Sequence, residues 1–139
     1  MTDTKPLNWS PTPGIGYTVS RRADGGMNII FTDLTDTTIN HWHDFALDHL
    51  LGSDRLTRNL YDLRQVAEIP EKAIKLAGDV NNDPSTRNIR LAVLVANSNT
   101  RQAIIDIAAG AIGSGAAIRI FTSLEEAETW LGKPLDQII

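Results

Sequence analysis

The chain of 139 residues contains no cysteine. That excludes disulfides, zinc–thiolate sites, iron–sulfur clusters and thiol nucleophiles, and a reducing, cytoplasmic location is the matching expectation. No run of about eighteen apolar residues is present, so no transmembrane segment is expected. The start, MTDTKPLNWSPTPGIG, lacks a basic stretch followed by an apolar one and does not read as a signal peptide. Charge of one sign is also scarce: the formal net charge is −4, and the 13 Lys and Arg are scattered. Nucleic-acid binding needs a clustered basic stripe, so no nucleic-acid partner is expected.

What is present reads as one domain, long enough to bury about two-thirds of the surface its unfolded form exposes. Residues 1–16 hold three of the six prolines and read as an extended arm carrying Trp9; residues 17–139 form the domain. YTVSRR and MNIIFTD flank Asp24, Gly25 and Gly26, a turn that tolerates positive φ angles, so the domain opens with an antiparallel hairpin. Three more strand-like runs follow: TRNLYDL, IRLAVLVAN and AIRIFTS. Leu91 to Ala96 is continuously apolar, as for a strand covered on both faces of a parallel sheet.

Four helices are expected between and after these strands. The first runs over residues 37 to 51, capped by Asp36 or a neighbouring Thr and stopped at Gly52. The second begins near Pro70, with a stripe of Ile69, Ala73, Leu76, Ala77 and Val80. The third starts at Asn99, in capping-box register with Gln102, and the fourth at Ser123 with Glu126. Gly132 and Pro134 are the stop signals of the last. The class is therefore α/β: a mixed sheet of about five strands with parallel neighbours joined by helical crossovers.

The chain's three histidines, His41, His43 and His49, all fall in INHWHDFALDHLL. At ~100° per residue they point three ways, whereas a metal needs its ligands to converge. His41 lies with Asp44 and Asp48 on a polar face, and His43 falls near the centre of the apolar stripe of Ile39, Trp42, Ala46 and Leu50. GDVNNDPSTRN resembles a calcium loop but has Pro84 for the required glycine and Arg90 at the closing acidic position. PGIG and GSG are not strand-to-helix phosphate loops. No catalytic residues, no metal and no cofactor are therefore assigned. A hydrolase or metalloenzyme built on His41, Asp44, Asp48 or Asp62 is the last-ranked reading, because no nucleophile–base pair is visible. Asp62 near a strand's C-terminal end reads first as ordering the next loop through backbone amides.

NLYDLRQV followed by a helix, then RLAVLVANSNTRQAI and AIRIFTSLEEAETWL, resemble the SpoIIAA-like (STAS) family of anti-sigma-factor antagonists. The likeness is to its uncharacterised bacterial branch related to CRAL-TRIO lipid-binding domains, and it spans residues 17 to 133. It implies a sheet followed by a strand–helix superhelix, no enzymatic activity, and docking onto partner proteins. The family's phosphoacceptor serine has no counterpart here: Arg64 replaces the serine after Asp62-Leu63, and Pro70, Glu71, Lys72 and Ala73 occupy the motif's place.

Two surfaces follow. A protein partner, or a second copy in a homo-oligomer, would meet Arg64, Gln65, Glu71, Lys72 and Lys75. A small apolar ligand or peripheral lipid would enter between the sheet and the apolar helices, near Trp42, His43, Ile74 and Ile105.

Overall fold

The computed structural model describes residues 12–23, 26–51, 57–66, 68–81, 89–96, 101–102, 104–105 and 117–133, with the side chains of 47–51, 57, 78, 80–81, 89 and 117 left aside. Five strands form one sheet in the order β1 (Tyr17–Arg21), β2 (Met27–Phe31), β3 (Thr57–Asp62), β4 (Ile89–Leu94), β5 (Ala117–Phe121). β1 and β2 pair antiparallel, and β2 to β5 are parallel. Sequence order equals spatial order, so the chain walks steadily across the sheet through its crossovers.

Three helices, not four, are delimited among the described residues: α1 (Asp36–Leu51), α2 (Glu71–Asn81) and α3 (Leu124–Leu131). Residues 101, 102, 104 and 105 of the expected third helix are helical, and the rest of it lies outside the described residues. Trp9, the turn residues Asp24 and Gly25, and residues 82–88 of the failed calcium loop also lie outside them, while its first four residues, 78–81, are the last turn of α2.

Strand periodicity sorts the core. Tyr17, Val19, Ile29 and Phe31 turn to one face, where Trp42, Phe45 and Ala46 of α1 and Ile104 cover them. Ile74 and Ala77 of α2 pack against the same cluster. On the opposite face Leu60, Ala92 and Leu94 meet Ala127, Trp130 and Leu131 of α3. β4 and the residue after it serve both layers: Val93 and Val95 face α1, Ala92 and Leu94 face α3, and each is at most 3% exposed. The unbroken apolar run has this cause, since both sides of the strand leave water.

Gly26 differs from the turn reading. Gly14 is the one described glycine with positive φ. Gly26 instead lies against β3, where an added Cβ would collide with the Arg58 carbonyl. It is glycine because two backbones meet closely.

The start of α1 is held by side-chain hydrogen bonds. Thr35 Oγ1 accepts from Thr38 N (3.4 Å), and Thr38 Oγ1 donates to Asp33 Oδ1 (2.7 Å). The fully buried Thr38 hydroxyl also accepts from Gly16 N at 2.8 Å, which ties the entry to β1 to the helix. Hydrogen bonds from Thr38 and from Thr35 N and Oγ1 hold the Asp33 carboxyl below the usual carboxylate range, the Thr38 hydroxyl contributing most.

Candidate functional site

β3 ends at the carboxyl edge of the parallel strands, where open α/β sheets place their sites. Leu63 N donates to Leu94 O (2.9 Å) and Val66 N to Leu63 O (3.1 Å), with both apolar side chains buried. Between them Arg64 and Gln65 are forced outward and are exposed. Asp62 fixes this turn. Its Oδ1 accepts from Arg64 N and Nε, each at 3.0 Å, and its Oδ2 from Arg64 Nη2 at 2.8 Å. The carboxylate is 13% exposed and the guanidinium 42%. Hydrogen bonding from the Arg64 side chain lowers the Asp62 pKa against an opposing push from burial, and the Arg64 pKa rises in return. Asp62 thus orders the loop as expected, with the Arg64 side chain as a partner the sequence did not suggest.

α2 follows, its first turn closed by Ile74 N donating to Pro70 O at 3.1 Å. Glu71, Lys72 and Lys75 are exposed on it. Lys72 Nζ lies 3.7 Å from Asp36 Oδ2 and links α2 to the first residue of α1. One stretch of chain from Arg64 to Lys75 thus displays all five expected docking residues at the surface. Between Arg64 and Lys75 it contains no Ser, Thr or Tyr.

The residues of the expected ligand pocket are placed unequally. Trp42 is buried, and its Nε1 donates to Tyr61 Oη at 3.1 Å. Burial raises the Tyr61 hydroxyl well above the usual phenol range. Ile74 packs against the same core, but Ile105 is 41% exposed while Ile104 takes the buried position.

The buried face of α1 is also rotated from the expected one. Thr38, Ile39, Trp42, Phe45 and Ala46 are buried, which centres the stripe on Trp42. His41 and His43 then flank it, about 100° to either side. Tyr17 Oη and His41 Nδ1 share a hydrogen bond of 2.6 Å. His43 is partly exposed, with Nδ1 3.8 Å from Asp44 Oδ1, but its Nε2 is buried without a hydrogen-bond partner. Leaving such an atom unsatisfied costs about 1–3 kcal/mol. The side chains of Asp48 and His49 lie outside the described ones. Among the described residues no three His, Asp or Glu side chains could hold a metal.

A second polar cluster was missed from sequence. Arg90 is 4% exposed, and its Nη1 donates to Trp130 O (3.2 Å) and Lys133 O (2.7 Å) at the end of α3. Its pKa is pushed down, by burial first and then by the charge of Arg58. The available signal was an arginine inside the otherwise apolar IRLAVLV.

No family model and no curated protein matches the chain. Among solved structures it is similar to an uncharacterized protein of the DUF3478 family with a SpoIIAA-like fold from Shewanella loihica. The TM-score is 0.61 at 15% identity, over 88% of this chain and 98% of the other. A likeness at that identity is one of fold, and the fold of this chain is SpoIIAA-like.

Proposed function

We propose that the chain is a non-enzymatic regulatory module that binds a protein partner, or a second copy of itself, through Arg64, Gln65, Glu71, Lys72 and Lys75. The observation that carries this is the Asp62–Arg64 clasp. It holds an exposed turn in one shape, which lowers the ordering entropy that a flexible loop would lose on docking. With no hydroxyl in the stretch, phosphorylation there cannot switch it. Light scattering on a size-exclusion column tests self-association, and cross-linking with mass spectrometry tests a heterologous partner. Contacts should map to residues 64–75 and disappear in Arg64→Glu/Lys75→Glu, whose melting temperature should stay within a few degrees of the parent. A monomer whose cross-links map elsewhere would overturn the reading.

The unpartnered Nε2 of His43 beside buried Trp42 favours a second reading. A small apolar or lipid-like ligand with one polar group, held near Trp42, His43, Ile74 and Ile105, would satisfy it, as the resemblance to the branch related to CRAL-TRIO lipid-binding domains implies. Native mass spectrometry of freshly purified protein separates the two readings, since only this one expects a bound mass lost on denaturation.

A further inference from the structure

Arg58 and Arg90 are register partners near the starts of β3 and β4 and share the face covered by α3. Both reach the same carbonyl: Lys133 O accepts from Arg90 Nη1 at 2.7 Å and from Arg58 Nη2 at 3.4 Å. The Arg90 guanidinium also lies 5.5 Å from the centre of the Trp130 ring. Capping the carbonyl end of a helix with cations is an ordinary structural role, and it accounts for these Nη donors.

It does not account for two others. Arg58 Nε and Trp130 Nε1 are both buried and have no hydrogen-bond partner, and Trp130 is only 3% exposed. Guanidinium and indole N–H groups donate and never accept. A cation would be repelled here, and an apolar molecule would leave both donors unanswered. The partner such groups select is an acceptor with negative charge, and the guanidinium fork matches two oxygens of one carboxylate or phosphate. Arg58 is half-buried and Lys133 exposed, so the cluster borders the surface.

We propose that Arg58, Arg90 and Trp130 form a binding site for a small oxyanion, of the phosphate or carboxylate class, beside the C-terminal end of α3. The site lies on the face opposite α1 and α2 and stands independently of the docking surface.

The test titrates inorganic phosphate, and separately acetate, into the full chain at constant ionic strength, with chloride as reference. The readout is melting temperature, supported by calorimetric titration. One of the two anions, or both, should raise the melting temperature saturably beyond chloride, and their relative strength identifies the preferred class. Trp130→Phe keeps a ring under Arg90 and loses the N–H; Arg58→Lys keeps the charge and loses Nε and the fork. Each should raise the half-saturating concentration about tenfold or more. Shifts no larger than with chloride, as expected if water alone fills the site, would overturn the proposal. So would an unchanged response in Arg58→Lys, which decides the matter if Trp130→Phe does not fold.

Discussion

Asp62 shows how one carboxylate can order a turn at the carboxyl edge of a sheet. Three hydrogen bonds from Arg64 use both of its oxygens. Asp62 and Asp33 both have folded-state pKa values below the ordinary 3.8. Between the folded and unfolded pKa values the unfolded chain binds more protons, so stability rises with pH there. Their contribution is complete above about pH 5, declines below pH 4, and is lost as pH falls through the folded values. Asp62→Asn should cost about 1 kcal/mol at pH 7, because the pair is partly exposed and screened. Urea denaturation of both proteins at pH 7 and pH 2.5 checks this, and the gap between them should narrow in acid. A gap that is constant across that range would show that the ion pair does not supply the difference. The histidines teach the complementary lesson. Helical spacing alone separates them, but Phe45 and Thr38 decide which way α1 rolls. Neither fell in the expected stripe, Phe45 because it lies at its edge on the helix and Thr38 because it is polar.

At the level of elements the sequence was most legible where a local cause sets the outcome. YTVSRR, read as the first strand of a hairpin, forms β1, with Tyr17 and Val19 buried and Thr18 and Ser20 exposed. The Ser123 cap opens α3, its side chain accepting from Glu126 N at 3.3 Å. Glycine was legible as an end signal but not as a packing device, because the backbone that excludes a Cβ at Gly26 belongs to a strand about thirty residues away. The two glycines therefore predict opposite substitution effects. Gly26→Ala must push β2 from the Arg58 carbonyl, and should destabilise by about 2 kcal/mol or more. Gly132 has φ −77°, and a Cβ there meets Glu128 O at an ordinary 3.4 Å. Gly132→Ala should be neutral, or stabilise by up to about 1 kcal/mol through the unfolded chain. Thermal melts of the two variants give the comparison, and equal losses would show that the close approach at Gly26 does not limit the sheet.

For the whole molecule, α3 poses the sharpest question, because it is eight residues long and holds the second face of the sheet by itself among the described elements. An isolated helix of that length has no stability of its own. Its hold comes from burial of Ala127 and Leu131, neither with any exposed surface, and from arginines reaching it from the sheet. Arg22, just past β1, donates to both Glu128 carboxylate oxygens at 2.7 and 3.1 Å, while Arg90 and Arg58 hold the carbonyls at its end. These long-range ties span β1, β3 and β4, and sequence periodicity cannot reveal them because each joins residues far apart along the chain. They predict that α3 opens only with the sheet. In native-state hydrogen exchange, amides of Ala127 to Leu131 should fall in the same slow class as Ala92 to Leu94, while edge strand β1 exchanges faster. Arg22→Ala should release the helix amides toward faster exchange and leave those of β4 slow, since it removes a clamp without opening the core. Helix amides that exchange orders of magnitude faster than β4 in the parent chain would mean that α3 opens on its own, and that burial on the sheet, with its arginine ties, does not make one cooperative unit.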